Sequence, residues 1–413
     1  MVLHYIFAGF FLSAFLYALI LWIFTGNGEL FPAMLDATFE MAKTGFNISL
    51  ALTGGMCLWL GIMKIGENGG AINILARIVR PLFSRLFPGI PPNHPANGSM
   101  LMNMSANMLG LDNAATPLGL KAMKELQTLN ESDTDATNAQ IMFLVLNTSG
   151  LTLIPISVMI YRLELGAENP ADVFLPILLA TFFSTLAGLT AVAIVQRMRI
   201  DLVLFSWLVG AVAVVSTALW FLMQLPPEQL ASVSRIWSAF IIMSLICGFI
   251  ALALRKKVNV YESFIDGAKE GFSVAIKVVP YLIAILVAIG VFRAAGIMDL
   301  LMNSLTNVVG SLGIPDDWVG AMPTGLIKPL SGSGARGMMV DAMETHGADS
   351  FIGSLTSTMQ GSTDTTFYVL AVYFGSVGIK NTRHAVPCGL LADATGIVAS
   401  ILIAYIFFAD RIV

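Results

Sequence analysis

The sequence predicts an all-α polytopic membrane protein made of two inverted repeats, each with a re-entrant helical hairpin and a broken helix, about nine spans plus two hairpins in all. Three observations predict it: a composition short of charge, spans whose flanking charges alternate in sign, and a motif that recurs after an odd number of spans.

Of the 413 residues, 56% are hydrophobic and 12% charged, against about 25% charged in a soluble domain. Apolar runs of about 20 residues account for the shortfall, since each matches the roughly 30 Å hydrocarbon thickness at 1.5 Å per residue. A net charge of −4 gives no basis for a nucleic-acid partner. Cys57, Cys247 and Cys388 are scattered through apolar sequence, without disulfide or zinc-site spacing. The first apolar segment, Leu3 to Phe24, is too long for a signal-peptide core and is expected to stay in the protein.

Nine spans are expected, at about 3–24, 46–65, 138–160, 171–195, 201–223, 233–254, 271–293, 353–376 and 384–410. Basic residues crowd alternate loops: Lys64, Arg77, Arg80 and Arg85; Arg197 and Arg199; Arg255, Lys256 and Lys257; Lys380 and Arg383. The positive-inside rule then places the N-terminus in the cytoplasm, provided that 95–127 and 318–346 do not cross. Each of those stretches has two apolar arms too short to span, joined by a polar, Gly-rich tip, at 112–117 in the first and 331–337 in the second. They read as re-entrant hairpins, because irregular backbone survives at membrane depth where protein or a wet cavity covers it. Amphipathic surface helices are the alternative.

The repeat orders these elements. Glu40-Met-Ala-Lys-Thr-Gly-Phe46 recurs as Asp266-Gly-Ala-Lys-Glu-Gly-Phe272, expected at the entrance to a span. After each copy come a span, an amphipathic stretch ending in Gly-Ile-Pro, and a hairpin whose second arm holds Ala122-Met123 or Ala342-Met343. A polar-interrupted span follows, then one with Pro176 or Pro387 near its start. Five spans separate the two starts, so the copies have opposite orientation, a construction common to secondary transporters.

The interruptions are the candidate chemistry. Asn147, Thr148, Ser149 and Thr152 precede Pro155 in one span; Gln360, Ser362, Thr363, Asp364, Thr365 and Thr366 cluster in the other. Unwound backbone offers carbonyls to a cation, and half-helix N-termini offer N–H groups to an anion. Hydrogen bonding between helices is the competing role. Asp364 and Asp393 are carboxylates in apolar sequence, where charge is costly. They are either coupling groups, with Asp364 preferred, or partners of Lys277, Lys328 or Arg336. Arg336 would hold a carboxylate or phosphate. Met100, Met102, Met104 and Met108 read as packing, and the four histidines have no metal or triad spacing.

At these residues the chain resembles known families. Around Leu58–Lys64, Met102–Met123 and Asn147–Pro155 it resembles spore maturation protein A; around Gly290–Arg293, Lys328–Ala335, Ser357–Tyr368 and Val377–His384 it resembles spore maturation protein B. Both families carry the nucleoside-recognition "Gate" domain, related to nucleoside transporters, and the resemblance implies a fold like the concentrative nucleoside transporters. On it the chain divides into a first Gate-like repeat at 1–200, a linking span at 201–232 and an inverted repeat at 233–413.

The function expected is a secondary transporter of a small polar or anionic solute, cation-coupled and elevator-like, in the bacterial cytoplasmic membrane. A non-transporting scaffold or sensor of envelope or spore maturation is the rival. No nucleophile–base pair is evident, so no enzyme is expected, and no cofactor beyond Na+ or H+ as coupling ion. An elevator needs a fixed scaffold, so a homo-oligomer is expected. The binding residues expected are Asn103, Ser105, Asn107, Asn113, Thr116, Asn147, Thr148, Ser149, Ser331, Ser333, Arg336, Gln360, Ser362 and Thr363, with Asp364, Thr365 and Asp393 for the ion.

Overall fold

The computed structural model describes residues 2–26, 28–109, 112–198 and 201–412, with side chains described except at 2, 3, 112–114, 227, 228, 230 and 231. All named elements are helical. They run α1 (Val2–Thr25), α2 (Leu30–Gly69), α3 (Ala71–Leu86), α4 (Pro95–Met108), α5 (Asp112–Gln127), α6 (Asn138–Ser149), α7 (Ile156–Glu164), α8 (Phe174–Val195) and α9 (Leu202–Leu222). Then come α10 (Pro227–Arg255), α11 (Val260–Ala294), α12 (Ile297–Ser311), α13 (Met322–Ile327), α14 (Gly332–His346), α15 (Phe351–Ser362), α16 (Thr366–Gly375) and α17 (Ala385–Phe407). Helices α2–α8 therefore correspond, one for one, to α11–α17.

Among the described residues seven helices are long and apolar enough to cross a membrane. The two other expected spans are the broken ones: α6 stops at Ser149 on a left-handed Gly150 and α7 resumes at Ile156, while α15 and α16 are parted at 363–365. The protein is thus a multi-pass membrane protein with lipid as its environment.

One expectation gains detail and another changes. The repeated motif is continuous with the span that follows it, because α2 and α11 run unbroken through it for 40 and 35 residues. No strong breaker stands between the motif and the apolar run, so about 60 and 52 Å of helix form at 1.5 Å per residue. The motif lies where the two helices touch. Gly45, its sixth residue, faces Ile283, where a Cβ would stand 3.1 Å from the Ile283 Cα. Its counterpart Gly271 abuts the backbone of Met56 and Cys57. Bare glycine lets α2 and α11 meet backbone to backbone, as at small-residue crossings in membranes. Gly61 against Phe264 and Gly290 against Met41 fix the direction as antiparallel. The two motif copies therefore run oppositely. Each long helix ends on a left-handed glycine, Gly70 (φ 87°) and Gly296 (φ 82°), that starts the amphipathic helix after it. Helices α8 and α17 cross antiparallel too, Gly188 at Ala392 and Gly396 at Ser184.

The change concerns the hairpins. Residues 112–117 and 331–337 are not their tips but mostly the opening turns of α5 and α14. In the second hairpin the turn is Lys328–Ser331, and the Ser331 hydroxyl accepts from the Gly334 amide at 3.0 Å. That cap starts a helix on a Gly-Ser-rich stretch that composition alone marks as loop. In the first, part of the turn lies outside the described residues.

Two clasps lock the halves at opposite ends. At one, the loop between α5 and α6 pairs with the loop before α17: the Lys380 and Asn381 amides donate to the Thr134 carbonyl at 2.8 and 2.9 Å, and Arg383 donates to the Ala136 carbonyl at 2.9 Å. The equivalent loops at the other end meet through charge. Arg162, fully buried, bonds the Ala348 carbonyl at 2.7 Å and pairs with Asp349 at 2.9 Å and Asp172 at 3.0 Å; Arg411 pairs with Asp172 at 2.8 Å.

Candidate functional site

The unwound stretches of the two broken helices cross: the Asp364 amide donates to the Thr148 carbonyl at 2.8 Å. Each hairpin turn is stitched to the broken helix of its own half. Leu153 N–H donates to the Met108 carbonyl at 2.8 Å, and Phe367 N–H to the Pro329 carbonyl at 3.0 Å. Backbone groups freed by the breaks thus find partners without completing a helix. A cavity of about 550 Å³ opens at this crossing.

Seven of the expected binding or coupling residues line it: Asn107, Thr116, Asn147, Arg336, Gln360, Thr363 and Asp364. Asn107 Nδ2 donates to Asn147 Oδ1 at 2.7 Å, and Asn147 Nδ2 donates to the Phe143 carbonyl at 2.8 Å, so the first half presents a fixed amide pair. Tyr373 closes that corner and accepts from Asn103 at 3.2 Å. Arg336 has no carboxylate partner among the described residues, and neither Asp364 nor Asp393 pairs with Lys277 or Arg336. The guanidinium faces the cavity with its donors available. Buried Lys328 adds a second cation to the wall, and exposed Asp364 a carboxylate.

The other expected residues stand behind the wall. Asn103 ties α4 to the Ala115 carbonyl at 2.8 Å. Thr148, Ser149 and Ser362 spend their hydroxyls on carbonyls three residues back. Ser331 caps α14, with Ser333 beside it. Ser105 and Thr365 are buried without lining the cavity. The Asn113 side chain lies outside the described residues. Asp393, on α17, is 1% exposed, and the hydroxyls of Thr363 and Thr366, on the broken helix packed against it, lie beside its carboxylate. Lys328 is close enough to act on its charge.

Sequence reasoning missed one whole wall. Met56, Trp59, Leu60, Met63, Lys64 and Glu67 of α2 line the cavity with Glu270 of α11. Lys64 bridges Glu67 at 3.1 Å and Glu270 at 3.3 Å. The three-and-four spacing of that stripe was the available signal.

The family model for nucleoside recognition, Gate, matches residues 49–199 and 275–380, more than half of the chain. The chain belongs to the Gate family. Two curated relatives each align with part of this Gate protein. Spore maturation protein B of Bacillus subtilis (strain 168) is 49% identical over 166 residues, 40% of this chain and 92% of the relative. Spore maturation protein A of the same organism is 44% identical over 154 residues, 37% of this chain and 79% of the relative. A fusion of two such proteins fits both alignments. No solved structure matches it.

Proposed function

We propose that this Gate protein is a secondary transporter of a small polar or anionic solute, coupled to Na+ or H+ and elevator-like, with no enzymatic step. The observation that carries the reading is the unequal seating of two equivalent hairpins. Helix α14 lies along α11, held by Arg293 bonded to Asp341 and Thr345. Helix α5, its counterpart, does not lie along α2 among the described residues; the cavity occupies that space. Because the halves are inverted copies, exchanging the two seatings would close this opening and create one at the opposite end. That exchange is alternating access. On this reading the hairpins are re-entrant, the N-terminus is cytoplasmic, and the chain assembles as a homo-oligomer around a fixed scaffold.

The roles divide by environment. Arg336, with Lys328, would hold an anionic group of the solute through charge-assisted hydrogen bonds, while Asn107, Asn147 and Gln360 orient its polar part. Asp364, exposed on the wall, would touch the solute. Asp393, buried with the Thr363 and Thr366 hydroxyls beside it, would take the Na+ or the proton. The relatives' names suggest a role in spore maturation, and the family description suggests nucleosides as the first solutes to try.

Counterflow in proteoliposomes tests the reading, with nucleosides, dicarboxylates and amino acids each assayed with and without sodium or a proton gradient. One class is expected to exchange, and faster with the ion. Saturable binding without exchange would make the protein a scaffold or sensor instead.

A further inference from the structure

A second concave surface lies away from the crossing, where α3, the base of the first hairpin and the end of α10 meet, and encloses about 1010 Å³. Arg77, Arg80, Arg255 and Lys256 line it, and no Asp or Glu does. Among the described residues none of the four makes an ion pair, whereas Arg85, on the same helix but outside the groove, pairs with Asp201 at 3.0 Å. Lys256 lies over Gly70, where any Cβ would collide with its ammonium group. Ile74, Leu101, Met102 and Leu252 supply an apolar side, and Ile74 is open to the surroundings.

The repeat shows that this charge is not demanded by the fold. Helix α12, the counterpart of α3, has no Lys or Arg in Ile297–Ser311. The positive-inside bias explains cations on one face of a membrane protein. It does not explain four unpaired cations converging on a concavity with an apolar flank. Basic pockets beside membrane helices suit lipid phosphates, and the stems of Arg and Lys tolerate acyl chains.

We propose that this groove holds the phosphate headgroup of an anionic membrane lipid, with the acyl chains running along Ile74, Leu101 and Leu252. The site is independent of the transport cavity and stands whether or not the protein transports.

The test is thermal unfolding of the full chain in phosphatidylcholine mixed micelles titrated with phosphatidylglycerol. The protein is expected to be stabilised, and R77Q/R80Q/R255Q to need roughly 100-fold more of the anionic lipid, at about 1 kcal/mol per removed charge. A control with the same loss of charge elsewhere, K121Q/K124Q/K380Q, is expected to respond like the parent. Equal loss in both triple variants, or the same stabilisation by inorganic phosphate alone, overturns the proposal. Should the groove variant fail to fold, native mass spectrometry of the unaltered protein from an equimolar mixture of the two lipids decides: preferential retention of phosphatidylglycerol supports the site, and equal retention removes it.

Discussion

The two halves share a skeleton and differ in charge. Seven helices correspond one for one, glycines sit at both contacts of the motif, and a left-handed glycine ends each long helix. The matched Ala-Met pairs set Thr116 of the first hairpin opposite Arg336 of the second. Matched helix ends set Leu151 opposite Asp364, and the matched glycine contacts of α8 and α17 set Thr185 opposite Asp393. At these matched positions the second half carries ions where the first does not, while the first half's own ions, Lys64 and Glu67, stand on the α2 wall. A duplicated frame needs small residues and apolar faces in both copies. Ion handling needs to be present only once, and burying a charge twice would double a cost of several kcal/mol.

The largest expected effect separates the two clasps. Removing one partner from a buried ion network leaves the others uncompensated, at about 3–5 kcal/mol. R162A is therefore expected to lower the unfolding midpoint sharply in detergent, with Asp349 left unpaired and Asp172 held by Arg411 alone. A midpoint near that of the parent would mean that water already screens this end.

Next comes the coupling asymmetry. D393N is expected to fold and bind solute while losing all dependence of exchange on Na+ or pH, whereas T185V, at the matched position of the first half, keeps it. Retained ion dependence in D393N would remove Asp393 from the mechanism and return the role to Asp364. The solute side is smaller. R336T gives the second hairpin the first one's residue and should weaken an anionic solute by about 10–100-fold, the value of a hydrogen bond to a charged group. Ion dependence should persist. An unchanged apparent affinity in the exchange assay would place the anion elsewhere.

Much of this frame was legible in the sequence, for reasons that differ by element. Spans and breaks were, because an apolar run of bilayer length and a Gly or Pro within it act locally. The hairpin turns were misread by several residues, because Ser331-Gly-Ser-Gly reads as loop until the Ser331 cap is seen to start a helix on it. The α2 wall was hidden because Met56, Trp59 and Met63 look like any lipid-facing stripe. Arg162, close to Glu164 and Glu168 in sequence, reads as a loop charge; its partner Asp349 is remote in the chain, and only the fold brings them to 2.9 Å.

The smallest effect tests the opposite clasp. There the halves are joined mostly by backbone groups, and the Arg383 guanidinium contributes a single bond to the Ala136 carbonyl at 2.9 Å. Loss of one such bond at a half-exposed site costs about 0.5–1.5 kcal/mol, because water can replace the donor. R383A should thus shift the midpoint by a fraction of the R162A shift, and the two should add in the double variant, since the clasps share no partner. Equal shifts would show that charge does not distinguish the ends. A double variant well short of the sum would mean that the two ends are coupled through the crossing.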